Sequence, residues 1–273
     1  MDFISLFSGI GGLDLGFERA GMRCVAQVEM DDYCQRVLSK HWPNVPKFKD
    51  VRNVGKHNLP AADLICGGFP CQPHSLAGKR QASADERDLW GETARIVGEL
   101  KPRWFVGENV PGLLSSEAGR FFGRVLRDLA QSGYVVEWQT VSAAAFGAPH
   151  IRERVFIIAH AECISEPFSE VPGRECKEAR EPGWDGVSQS VSDSDGERCQ
   201  EQRWPITSAE AYTGFRFGRG WEAEPALGRV VDGFPGRVDQ LKGLGNAVVP
   251  QVAEFVGSCI MQAEEVRQAL LFL

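Results

Sequence analysis

The chain has 273 residues, an ordinary hydrophobic share of 43% and a net charge of −7. That length can bury the core of one large domain with room for a smaller one. No apolar run approaches the roughly 18 residues that a membrane span requires. The start Met1-Asp2-Phe3-Ile4-Ser5-Leu6 has neither a basic n-region nor a cleavage site, so a cytoplasmic protein without a signal peptide is expected. Net acidity argues against a generic nucleic-acid binder. The whole acidic excess lies within 161–240, however, and the remainder is charge-balanced, so a local basic face stays open to it.

In chain order, short apolar runs predict strands at Phe3–Phe7, Cys24–Val28, Leu64–Cys66, Trp104–Val106, Val135–Thr140 and Val155–Ala159. Helical segments separate them. Leu13 to Ala20 stops at Gly21, and Phe121, Val125, Leu126 and Leu129 repeat at helical spacing before Gly133. Strands alternating with helices imply an α/β fold with a mostly parallel sheet covered on both faces. The pattern breaks near residue 161. From Glu162 to Arg203 the chain is polar and rich in Glu, Ser, Gly and Pro. Residues 204–235 regain Trp204, Tyr212, Phe215, Phe217, Trp221 and Phe234, interleaved with Arg216, Arg219 and Arg229. A small irregular domain is expected over 161–240. A last helix with the stripe Val252, Phe255, Val256, Cys259 and Ile260 then returns to the first domain, giving a main domain of 1–160 and 241–273.

Chemistry concentrates at loop positions after the strands. Phe7-Ser8-Gly9-Ile10-Gly11-Gly12-Leu13 follows the first strand and opens a helix. Glycines there permit a tight turn and close approach of a ligand to free helix-terminal amides. The second strand ends at Glu29, a carboxylate suited to a ribose diol, and Asp50 beside Val51 can accept from an adenine amine. These features point to an adenosine-type cofactor and leave NAD and S-adenosylmethionine both open. Cys71 lies in Gly67-Gly68-Phe69-Pro70-Cys71-Gln72-Pro73-His74-Ser75, directly after a buried strand, where an α/β protein would place a nucleophile. Cys66, within that strand, reads as a packing residue. The eight cysteines contain no CxxC pair, and His74 stands three residues after Cys71 without a second pair. Free thiols and no metal site are expected.

Four further motifs complete the set: Glu108-Asn109-Val110, His150-Ile151-Arg152-Glu153-Arg154, Asp85-Glu86-Arg87-Asp88-Leu89-Trp90 ahead of a helix, and Gly245-Asn246-Ala247-Val248 opening the last one. With the glycine loop and Pro70-Cys71-Gln72, this order resembles the cytosine-5 DNA methyltransferases over about 1–160 and 227–273. The resemblance implies a Rossmann-like catalytic domain, a small target-recognition domain, S-adenosylmethionine as cofactor and double-stranded DNA as partner. It implies a monomer with no metal, of the kind found in restriction–modification systems. Cys71 would add to ring position 6 of a flipped cytosine, Glu108 would hold the ring nitrogen and exocyclic amine, and Arg152 and Arg154 would contact the base carbonyl and backbone. Phe7, Gly9, Gly11 and Gly12 would form the cofactor loop. Glu29 would take the ribose, Met30 would pack on adenine, Asp50 and Val51 would face its amine, and Asn246 and Val248 would close the site. Ser75, Lys79, Arg80 and Arg87 would meet DNA from the loop after Cys71, and Arg216 and Arg219 from the target-recognition segment.

Two positions depart from that pattern. His74 replaces an aromatic residue and His150 replaces a glutamine, and neither removes an assigned chemical role. Phe69 before Pro70 favours DNA over the tRNA branch, which usually carries a second proline there. Two other classes compete: a non-catalytic cofactor-binding regulator, against which an intact Cys71, Glu108 and Arg154 argue, and an NAD-dependent oxidoreductase.

Overall fold

A computed structural model describes residues 1–70, 89–161 and 237–270. All of them belong to one compact unit. Its centre is a seven-stranded sheet in the order β3-β2-β1-β4-β5-β7-β6. The strands are β1 (Asp2–Leu6), β2 (Arg23–Val28), β3 (Lys47–Phe48), β4 (Leu64–Gly67), β5 (Trp104–Asn109), β6 (Tyr134–Ser142) and β7 (Glu153–Ala161). The pairs from β3 to β5 are parallel, while β7 runs antiparallel to both β5 and β6. This is the mostly parallel, Rossmann-like sheet expected from the sequence.

The strands differ from the expected bounds by one to three residues at their ends, and at two of those ends the reason is identifiable. Phe7 leaves β1 because its backbone turns to φ 53°, a left-handed conformation that ends the strand and starts the glycine loop. β5 continues past Val106 because Glu108 and Asn109 still pair with Phe156 and Val155 of β7. Their polar side chains hid that extension from an apolar-run reading. The short β3, paired only at Lys47 and Phe48, carries too little pattern to be read in advance.

The helices are α1 (Gly12–Arg19), α2 (Asp32–His41), α3 (Trp90–Leu100), α4 (Arg120–Gln131), α5 (Arg237–Asn246) and α6 (Pro250–Leu270). Asp31 caps α2, its carboxylate accepting from the amides of Tyr33 and Cys34. Alternation along β1 sorts the two faces of the sheet. Ile4 and Leu6 join Ile65, Phe105, Trp90, Ile96, Val125 and Leu129 in one core. Phe3 packs edge-on against Phe17 of α1 on the other side, with ring centroids 5.6 Å apart.

The C-terminal segment closes that second face. The expected stripe Val252, Phe255, Val256, Cys259 and Ile260 is buried. Gly245-Asn246 ends α5 rather than opening the last helix, which begins at Pro250. The stretch Lys242–Ala269 is long and apolar enough to cross a membrane by length and composition alone, yet its stripe is spent on packing in this fold. Glycines set the contact between α1 and α6. A Cβ on Gly16 would collide with Ala253 and lie 2.6 Å from the Pro250 carbonyl oxygen, and one on Gly257 would lie 2.9 Å from both Ala20 and Phe17. Near its far end α6 is anchored by the buried Glu264, which accepts from Arg103 Nη1 at 2.5 Å and Trp104 Nε1 at 2.9 Å.

Gly16→Ala sets a gain in helix propensity of about 1 kcal/mol against overpacking that costs about 1–3 kcal/mol. The obstructing atoms include backbone, which cannot rotate away, so a net loss of stability is expected. Gly98 lies exposed in α3, where a Cβ meets none of the described residues within 4 Å. Gly98→Ala should therefore stabilise by up to about 1 kcal/mol. Denaturant midpoints of the two variants should move in opposite directions.

Candidate active site

The C-terminal ends of the parallel strands open into a cleft of about 630 Å³, the place where open α/β sheets bind ligands. Three groups of residues line it. Phe7, Ser8, Gly9 and Gly12 come from the loop after β1, and Val28 to Asp31 from the end of β2. Gly68, Phe69, Pro70, Glu108, Asn109, Val110 and Arg154 come from the ends of β4, β5 and β7, and Asn246, Ala247 and Val248 from the C-terminal segment.

At the first group, Glu29 is held in place by backbone. One carboxylate oxygen accepts from the Gly9 amide and the other from the Asp31 amide, each at 2.7 Å. Among the described residues nothing lies within 4 Å of where a Cβ on Gly9 would stand. Met30 is 53% exposed although it lines a cleft. Gly11 caps α1 at φ 87°, and a side chain there would collide with Trp42. Gly12 faces the backbone of Val248, whose carbonyl oxygen occupies the space a Cβ would need. An open glycine, an oriented carboxylate and an exposed thioether suit a flat, diol-bearing cofactor. The Asp50 carboxylate accepts from the Arg52 amide at 2.9 Å and from the Arg52 guanidinium at 2.8 Å. Those hydrogen bonds from Arg52 hold it below the usual carboxylate range. Its neighbours Lys49 and Val51 line the cleft.

At the second group, Glu108 is the central residue. It is 7% exposed, and Arg154 Nε stands 2.9 Å from its Oε1. The contact is close but poorly aligned for a hydrogen bond, since among the described residues Oε1 has no partner of good geometry. The missing side chain of Gly68 leaves room for Oε2. Burial pushes the Glu108 carboxyl up to about 7, against the opposing charges of Arg154 and Arg152. A carboxyl poised near neutrality can either give a proton to a base or accept a hydrogen bond from one.

Asn109 was quoted in the sequence motif without a role, and the structure supplies one. Its Nδ2 donates to the Phe69 carbonyl at 2.9 Å, and its Oδ1 accepts from the Val110 amide at 2.9 Å. This buried amide braces the end of β4 against the end of β5, immediately before Pro70. Phe69 also packs on Trp90, the first residue of α3, with ring centroids 4.9 Å apart. Both flanks of the segment 71–88 are thus fixed beside the cleft. Cys71 follows Pro70 in the chain but lies outside the described residues, as do Ser75, Lys79, Arg80, Arg87, Arg216 and Arg219. Cys66 is fully buried, and burial pushes its thiol well above the ordinary range, in keeping with a packing role. Arg152 reaches the C-terminal segment: its Nη2 donates to the carbonyls of Gly245 and Ala247 at 2.7 and 2.5 Å. Among the described residues no cluster of His, Cys, Asp and Glu could hold a metal ion.

The seven-stranded sheet with one antiparallel strand and a cleft at the C-terminal ends of its parallel strands is the Rossmann-like fold of methyltransferases. The chain belongs to the family of C-5 cytosine-specific DNA methylases, whose model matches residues 1–216. It is 38% identical over 159 residues to the type II methyltransferase M.DsaV of Dactylococcopsis salina, covering 58% of this chain and 45% of that one. It is 37% identical over 175 residues to the type II methyltransferase M.AquIA of Picosynechococcus, covering 58% and 71%. A solved E. coli prophage structure, titled as a DNA modification methyltransferase, superposes with a TM-score of 0.52 at 31% identity, covering 59% of this chain and 47% of that one. The chain spans about half the length of the first curated relatives it matches.

The raised Glu108 carboxyl has a stability consequence. The folded state holds its proton up to about 7, whereas the unfolded chain releases it near the ordinary value of 4.5. Between those values the folded state binds more protons, so this group's contribution falls as pH rises through the window. Glu108→Gln should remove that decline, and thermal midpoints measured from pH 4 to pH 8 should show a flatter profile than wild type.

Proposed function

We propose that this protein methylates position 5 of cytosine in duplex DNA within a specific sequence, with S-adenosylmethionine as methyl donor. The observation that carries the reading is the buried Glu108–Arg154 pair at 2.9 Å, set beside the cleft next to Pro70, which Cys71 follows in the chain. Supporting it are family membership and the fit of the glycine loop, Glu29 and Met30 to an adenosyl group. When bound, S-adenosylmethionine supplies an activated methyl group. Gly9, Glu29, Met30, Val51, Asn246 and Val248 would hold it in the cleft.

The protein's own residues prepare the base. The target cytosine must leave the stack, at a cost of a few kcal/mol. The Cys71 thiolate then adds to ring position 6, which makes position 5 an enamine carbon able to attack an electrophilic methyl. Glu108 holds the ring nitrogen and supplies its proton as the thiolate adds, which prevents negative charge from building on the ring. Arg154 polarises the base carbonyl and fixes the Glu108 carboxylate. Solvent water takes the position-5 proton, the Cys71 thiolate is eliminated from position 6, and the ring-nitrogen proton returns to Glu108, which restores both side chains. Residues 161–240 form the target-recognition domain in this reading, with Arg216 and Arg219 on DNA, and Ser75, Lys79, Arg80 and Arg87 contact DNA from the segment after Cys71. The protein acts in the cytoplasm as a monomer, in the manner of a restriction–modification methyltransferase.

The test is incubation with labelled S-adenosylmethionine and either duplex DNA or tRNA, followed by nucleoside mass spectrometry. 5-Methylcytosine in duplex DNA is expected, and product in tRNA alone would refute the substrate. Cys71→Ser should abolish transfer while leaving cofactor affinity within about twofold, because the thiol acts on the base rather than on the cofactor. Full activity of that variant would overturn the mechanism. S-adenosylmethionine, and not NAD, should raise the thermal midpoint.

A further inference from the structure

Arg152 occupies an unusual backbone position. Its φ is 31°, in the left-handed region that a residue with a side chain seldom adopts. Such strain persists only where surrounding contacts over-determine it. Here the end of β6 does so. The Ser142 hydroxyl donates to the Ile151 carbonyl at 2.8 Å, and the Ala143 amide donates to the same carbonyl at 2.9 Å and to that of Arg152 at 3.4 Å.

The strained backbone directs the Arg152 side chain to the C-terminal segment. Nη2 has two protons, and the Gly245 and Ala247 carbonyls take them at 2.7 and 2.5 Å, across 93 and 95 residues of sequence. Those carbonyls flank Asn246, and Asn246, Ala247 and Val248 all line the cleft. The backbone of Val248 in turn fills the space above Gly12 of the cofactor loop. A continuous chain of contacts therefore runs from β6, through Arg152, to the wall facing the glycine loop. Two residues further on, Arg154 reaches Glu108. The paired arginines divide the labour: one faces the base-binding carboxyl, the other the cofactor wall.

We propose that Arg152 is a positioning residue for the cofactor wall, holding Gly245–Ala247 over the cleft, rather than a residue that touches the base. The inference deepens the proposed methyltransferase reading and rests on it for the identity of the ligand. The tether itself is readable without that ligand.

The experiment uses the full chain as wild type, Arg152→Met, Arg152→Lys and Arg154→Met. Calorimetry measures the Kd for S-adenosylhomocysteine, and amide hydrogen exchange is followed across 243–249 without ligand. Arg152→Met should speed exchange at 245–249 and raise the Kd about tenfold or more, the size expected for losing charge-assisted hydrogen bonds. In turnover, the cofactor KM should rise by more than kcat falls. Arg152→Lys, whose ammonium can still donate to both carbonyls, should recover part of the affinity, and it serves as the test variant if the methionine form does not fold. Arg154→Met should keep cofactor affinity within about twofold, because its partner is the base-side carboxyl. Wild-type exchange at 245–249 together with wild-type Kd in Arg152→Met would overturn the proposal. If wild type itself fails to bind S-adenosylhomocysteine, the cofactor reading falls, and the exchange data alone decide the tether: unchanged exchange in Arg152→Met would sink it.

Discussion

Two stretches of backbone meet with no side chain between them where Gly12 faces the carbonyl of Val248. The cleft depends on that contact. One of its walls comes from the first loop of the chain and another from residues more than two hundred positions later. Nothing local brings them together. The approach is possible because Gly12, Gly16 and Gly257 leave room for α6 to lie against α1 at backbone distance. Apolar burial of Val252, Phe255, Val256 and Ile260 drives the docking. The Glu264 contacts to Arg103 and Trp104 fix the far part of α6.

The chemistry side of the cleft is built on the opposite logic, with polar groups buried rather than glycine-smoothed. Glu108 and Asn109 sit at the end of a central strand, where a charged carboxylate is costly. Arg154 offsets part of that cost and burial wins the remainder, leaving a carboxyl near neutrality. Asn109 is engaged at both ends: its Nδ2 donates to the Phe69 carbonyl and its Oδ1 accepts from the Val110 amide. Geometry at Phe69, immediately before Pro70, is thereby tied to geometry at Glu108 on β5.

The sequence made much of this legible. Short apolar runs marked the strands and helical spacing marked helices, and the glycine loop, Pro-Cys-Gln and Glu-Asn-Val motifs stood at or just beyond the ends of those strands. Reading failed where polar residues carried structure. β5 ran on through Glu108 and Asn109, and α2 began at a capping aspartate with few apolar residues behind it. Within the site, the sequence did not disclose that Asp50 accepts from Arg52, or that Arg152 donates to two carbonyls of the C-terminal segment.

The sequence by itself determined the fold class, the order of motifs and the kinds of chemistry available, because strand ends, glycines and a thiol after a buried strand are local features. Tertiary structure decided which partner each polar group meets. A guanidinium is chemically able to bind a base, a phosphate or a backbone carbonyl. Only the three-dimensional return of α5 and α6 put carbonyls within reach of Arg152 and left Glu108 for Arg154. The protonation of Glu108 was decided in the same way, since its pKa is set by desolvation, which depends on everything that surrounds the carboxyl rather than on its place in the chain.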